Sequence, residues 1–87
     1  MALLSSAMPE ELLSRVVVNP RVMAGKPIIR GTRITVEQIL RLLGQGLSVE
    51  EILAEYPYLT EEDIRAALLY AAEALSREVV IPLIEAC

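Results

Sequence analysis

Apolar residues at helical spacing, set off by polar caps and breakers, fill the chain from Thr35 onward. Val36, Ile39, Leu40 and Leu43 recur one turn apart, with Thr35 placed to cap them and Gly44 and Gly46 placed to stop them. A second helix is announced by Ser48 with Glu51 three residues on, the reciprocal capping arrangement, and carries Val49, Ile52, Leu53 and Tyr56 up to Pro57. Thr60 and Asp63 repeat that arrangement. They open a third helix of about four turns whose predicted stripe is Ile64, Leu68, Ala71, Ala72 and Leu75, a length that makes it the central strut.

Upstream the period changes. Arg15-Val16-Val17-Val18 is a β-branched run ending at Asn19-Pro20, a turn-initiating pair, and Lys26-Pro27-Ile28-Ile29-Arg30 is a second extended run. Together they predict a small β-hairpin, with Gly25 and Gly31 supplying the unusual backbone angles at its ends. Ser6 to Ser14, with Pro9 in the first turn, predicts a short helix. At the other end Glu78-Val79-Val80-Ile81-Pro82-Leu83-Ile84 is apolar but interrupted by proline, so it reads as a strand or an extended arm. The predicted organisation is an N-terminal extension (1–14), a β-hairpin plus helix-turn-helix domain (15–76) and a C-terminal arm (77–87), mainly α in class.

A chain of 87 residues leaves room for one domain, and with 54% hydrophobic but 3% aromatic residues its core must be built from Leu, Ile, Val and Ala. A core of that kind is light. An exposed apolar patch is therefore expected, and with it a homodimer, a higher oligomer or a protein partner. The start of the chain lacks a basic stretch followed by a sustained apolar run, and no stretch reaches membrane-spanning length, so a cytoplasmic protein without membrane contact is expected.

Histidine is absent and Cys87 is the single cysteine, which removes the usual general base, the Ser-His and Cys-His pairs and any cysteine cluster for a metal. The expectation is a non-enzyme with no metal or cofactor. Glu50, Glu51, Glu61, Glu62 and Asp63 fall in helix first turns, where negative charge complements the helix dipole. The formal net charge of -4 hides a split. Residues 15–41 hold Arg15, Arg21, Lys26, Arg30, Arg33 and Arg41 against Glu37 alone, whereas 42–87 hold Arg65 and Arg77 against a large excess of carboxylates. Halves of opposite sign can serve different partners.

Two short helices and a longer one outline a helix-turn-helix domain, whose last helix would enter the DNA major groove. Thr60-Glu61-Glu62-Asp63 sets carboxylates where phosphate repulsion is worst, so the better DNA candidates are Lys26, Arg30 and Arg33 on the hairpin, with Thr32 between the two arginines, and Arg41 on the next helix. Arg30 and Arg33 are equally readable as solvated surface charge, and Lys26 and Arg41 are the weaker candidates, because a lone long cation on a strand or helix is most often just solvated.

In order along the chain, Asn19-Pro20, Gly25-Lys26-Pro27, Ile29-Arg30-Gly31-Thr32-Arg33-Ile34, Val36, Gly46-Leu47, Tyr56-Pro57, Leu59-Thr60, Asp63-Ile64 and Ala66-Ala67-Leu68 form a signature. From Val18 to Leu75 the chain resembles the bacterial family known as domain of unknown function four hundred and thirty-three. The resemblance implies a homeodomain-like helix-turn-helix fold and an antitoxin role beside a PIN-like nuclease toxin, with possible binding of its own promoter DNA. Gly25 to Arg33 then becomes either a functional surface or a structural clasp: Gly31 and Thr32 suit the clasp, Arg30 and Arg33 suit a phosphate or an acidic partner. In the antitoxin reading Val79, Val80, Ile81, Leu83 and Ile84 would lie in a groove of the toxin, add a strand to it or meet another copy of this chain. Three functional classes follow, in descending order: antitoxin with autoregulatory DNA binding, homo-oligomeric interaction scaffold without DNA binding, and enzyme of unknown type.

Overall fold

The computed structural model describes residues 9–77, and within them the chain runs α1 (Pro9–Leu13), β1 (Val16–Val18), β2 (Pro27–Ile29), α2 (Val36–Gly44), α3 (Val49–Glu55) and α4 (Glu61–Arg77). The class is mainly α with a small antiparallel hairpin, as the patterning predicts. The arm residues Val79, Val80, Ile81, Leu83 and Ile84 lie outside the described residues.

In the hairpin Val16 faces Ile29, Val17 faces Ile28 and Val18 faces Pro27. Pro27, which has no N–H to give, occupies the first position of its strand, where a missing donor costs least. The connection between the strands begins as an Asx turn, the Arg21 N–H donating to Asn19 Oδ1 at 2.9 Å. It then makes a left-handed turn in which Met23, Ala24 and Gly25 have φ of 51°, 58° and 79°. Gly25 is the expected residue for such angles. Met23 and Ala24 are not, since a Cβ in the left-handed region crowds the carbonyl.

Each later helix starts on its predicted cap. The Thr35 hydroxyl accepts from the Gln38 N–H at 2.9 Å, and Ser48 and Glu51 satisfy each other's backbone at 3.1 and 2.7 Å. Helix α2 runs through Gly44 and stops at Gly46, whose φ of 102° lets Gly46 and Leu47 donate back to the carbonyls of Leu43 and Leu42. That is a Schellman ending, with glycine at the one position that needs it.

Ile29, Val36, Ile39, Ile52, Leu59, Ile64 and Ala67 form the core, and Val16, Leu40, Leu53, Tyr56 and Tyr70 pack around it. Helix α4 is the strut: it packs against α1, α2, α3 and β1. Its buried face departs from the predicted stripe, because Leu68 and Leu75 are 45% and 61% exposed while Ala66 and Ala67 are fully buried. Contact with four elements explains this. With α1, α2, α3 and β1 all against α4, close approach selects alanine at the shared positions and leaves the leucines outside them. Residues 9–13, placed by patterning in an extension ahead of the domain, contribute to the core: Leu12 is 1% exposed and α1 lies on α4.

Asp63 is a buried carboxylate with every role filled. One oxygen accepts the Thr60 N–H at 3.0 Å, closing the reciprocal cap of α4 with the Thr60 hydroxyl, and the other meets the Arg15 guanidinium at 3.1 Å. Arg15 and Asp63 are 48 positions apart, so this pair ties the start of the hairpin to the start of the strut. Among the described residues no buried side-chain nitrogen or oxygen lacks a partner.

Two stability outcomes follow. Asp63→Ala removes a cap, and Arg15→Ala leaves the buried Asp63 carboxylate without its cation, so urea unfolding should show a loss of about 2 kcal/mol for each. Ala24→Gly relieves a left-handed Cβ and should gain about 1 kcal/mol, the reverse of the usual glycine penalty. A lower midpoint for Ala24→Gly would mean that this turn is right-handed in solution.

Candidate functional site

The site grows from the turn that follows β2. Ile29 presents its carbonyl to both the N–H and the hydroxyl of Thr32, at 3.0 and 2.8 Å, while the same hydroxyl accepts from the Ile34 N–H at 3.0 Å. Thr32 is thus a clasp whose side chain is fully engaged within the turn. Gly31 has a φ of 81° with open space where a Cβ would stand, so glycine is required there by backbone angle and not by crowding. The Ile29 N–H donates to the Ile34 carbonyl at 2.9 Å and the Arg30 N–H to the Arg15 carbonyl at 2.7 Å, which fixes the turn to the hairpin on both sides.

Arg30 and Arg33 flank this clasp, both exposed, and neither guanidinium has an acidic or hydrogen-bonding partner among the described residues. The alternatives left open by the sequence are therefore divided by residue: Gly31 and Thr32 build the turn, and Arg30 and Arg33 are presented by it.

The other two candidate cations are placed differently. The Lys26 ammonium meets one Glu37 oxygen at 3.0 Å and the Arg41 guanidinium meets the other at 2.6 Å. One carboxylate thus holds two cations. The hydrogen bond and charge of Lys26, then those of Arg41, hold the Glu37 carboxyl below the usual glutamate range. With Arg15 bound to Asp63, half of the basic residues of the 15–41 stretch are internally paired.

Arg30, Gly31, Thr32 and Arg33 form one wall of an open hollow of about 710 Å³, completed by Val17, Asn19, Val22, Ile28 and Tyr58. None of these lining residues is acidic. Tyr58 is 61% exposed, and its ring stands edge-on to that of Tyr56, with centroids 6.3 Å apart. Sequence patterning does not single out Tyr58. Its signal is an aromatic directly after Tyr56-Pro57, outside any helical stripe, in a chain otherwise poor in rings. A second, more apolar groove of about 520 Å³ lies between α2 and α4, lined by Val36, Leu40, Tyr70, Ala74 and Leu75, with Glu37 and Arg41 among its borders. Among the described residues no three His, Cys, Asp or Glu side chains gather closely enough to hold a metal, and no helix is long and apolar enough to cross a membrane.

Fold and site together define a small, mainly helical module with a short hairpin, whose turn after β2 presents two unpaired arginines beside an exposed tyrosine. The chain belongs to the family described as protein of unknown function (DUF433), whose model matches residues 16–71. It is 40% identical over 53 residues to the uncharacterized protein y4eO of Sinorhizobium fredii, a match covering 61% of this chain and 24% of that protein, so the chain spans about a quarter of that relative. The crystal structure of a DUF433 member from Anabaena variabilis superposes with a TM-score of 0.69 at 35% identity, covering 78% of this chain and 67% of that one.

The shared carboxylate makes a pH prediction. Glu37 should titrate below an ordinary glutamate in a carbon-detected NMR titration, and Lys26→Ala with Arg41→Ala should return it to the ordinary range. A carboxyl with a depressed folded value stabilises the fold above its unfolded value and loses that contribution as pH falls through the folded one. The Lys26–Glu37–Arg41 contacts should accordingly weaken as pH falls through the folded Glu37 value.

Proposed function

We propose that this chain is a non-catalytic binding module of the antitoxin kind, which holds operator DNA by its phosphates through Arg30 and Arg33 and pairs with a basic protein such as a PIN-like nuclease toxin. The observation that carries the reading is the presentation of Arg30 and Arg33 on a rigid clasp without an acidic neighbour, when Lys26 and Arg41 are engaged by Glu37. Guanidinium groups in that state are available for phosphate oxygens, which they bind as a planar fork. The acidic first turn of α4, with Glu61 and Glu62 exposed beside the paired Asp63, argues against α4 as the helix that enters a groove. It suits the basic surface of a nuclease better.

A homo-oligomeric scaffold is favoured by a different observation, the exposed leucines Leu68 and Leu75 on α4. In that reading the outward face of α4 meets another copy and the arginines remain solvated.

Duplex promoter DNA titrated over a range of salt separates the two. Each phosphate contact adds about 0.9 to the slope of log affinity against log salt, so Arg30→Ala with Arg33→Ala should lower the slope by about 2 without moving the melting temperature. Lys26→Ala with Arg41→Ala should leave it near the wild-type value. Equal slopes for all three proteins would remove the DNA role and leave the scaffold.

A further inference from the structure

The open hollow beside the Arg30–Arg33 turn offers more than a phosphate contact uses. Val17, Val22 and Ile28 line it together with two unpaired guanidiniums and an exposed tyrosine. We propose that it receives an unstacked base of a single-stranded nucleic acid, with the base against Tyr58 and the flanking phosphates on Arg30 and Arg33. The inference rests on the part of the reading above that gives these arginines to phosphates, and adds a ligand class to it.

Three observations favour this occupant. No acidic group lines the hollow, so consecutive phosphates meet no repulsion there. The edge-on contact with Tyr56 steadies the Tyr58 ring and leaves most of it uncovered, the condition for a stacking platform. Asn19 accepts the Arg21 N–H with its Oδ1, which orients the side-chain amide and leaves its N–H donors for a base edge. A base paired and stacked inside a duplex cannot enter a hollow, whereas a base in a single strand turns into one at little cost. An acidic peptide would use the arginines but has no need of an aromatic platform.

The test is fluorescence anisotropy with labelled oligothymidine, labelled oligouridine and a labelled duplex, using the whole chain as wild type, Tyr58→Ala, Tyr58→Leu, Tyr58→Phe and Arg30→Ala with Arg33→Ala. Tyr58 is exposed, so its variants should melt with the wild type. The single strands should bind the wild type and Tyr58→Phe alike, and bind Tyr58→Ala and Tyr58→Leu about tenfold more weakly. Duplex affinity should be unmoved by any Tyr58 variant, and the double arginine variant should weaken every probe. Preference for thymidine or for uridine strands identifies the natural ligand as DNA or RNA. Single-strand affinity indifferent to Tyr58 overturns the proposal. So does displacement of the strand by polyglutamate at equal charge concentration, which would assign the hollow to an acidic peptide. Arginine-dependent duplex binding without Tyr58-dependent strand binding sinks this inference and leaves the proposed function standing; no binding of any probe sinks both.

Discussion

The carboxylate of Asp63 reaches the start of α4 with one oxygen and the start of the hairpin with the other. That ion pair joins the basic stretch of the chain to the acidic one. Its position explains the layout around it. Helix α4 can serve as a strut for α1, α2, α3 and β1 only if its first turn is fixed, and a first turn rich in carboxylates has to be fixed by something other than charge alone. The reciprocal Thr60–Asp63 cap satisfies the backbone, and Arg15 compensates the one carboxylate that is buried. From that anchor the hairpin is held in place, and the turn after β2 extends from the hairpin with its own internal clasp.

Much of this was legible in the residues, and the reasons are local. Thr35, Ser48 and Thr60 cap helices because a hydroxyl three residues before a free N–H has one good use, and the order of elements follows once those starts are marked. Gly46 and Gly31 declare positive φ in advance, since glycine after an apolar stripe or between two extended runs is chosen for its backbone. What escaped the sequence depends on packing or on conformation that composition does not encode. Leu68 and Leu75 look like core and are exposed, while Ala66 and Ala67 lie outside the predicted stripe and are buried, because a helix with several packed neighbours is selected for closeness before bulk. Met23 and Ala24 are left-handed with no residue-level sign of it. Tyr58 belongs to no periodic pattern, and only the fold brings it to the same hollow as Arg30 and Arg33.

The candidate cations show the same limit from another side. Sequence places Lys26, Arg30, Arg33 and Arg41 in one basic stretch and ranks Lys26 and Arg41 lower only as lone cations, since Glu37 counts there as a single charge without a partner. In space that single acid lies between Lys26 and Arg41 and satisfies both, so a formally basic segment offers fewer available guanidiniums than its composition suggests. Charge counted along a chain measures supply. What a partner meets is the remainder after internal pairing.

Glu37 is therefore a latch on a reserve. Replacement of this one acid by glutamine would release Lys26 and Arg41 together, at a border distinct from the Arg30–Arg33 hollow, because Arg41 lies beside the groove between α2 and α4. A lineage carrying such a change would acquire a second electropositive face in one step, with its fold intact and its first face untouched. The residue at position 37 thus sets whether Lys26 and Arg41 are held within the fold or presented at its surface.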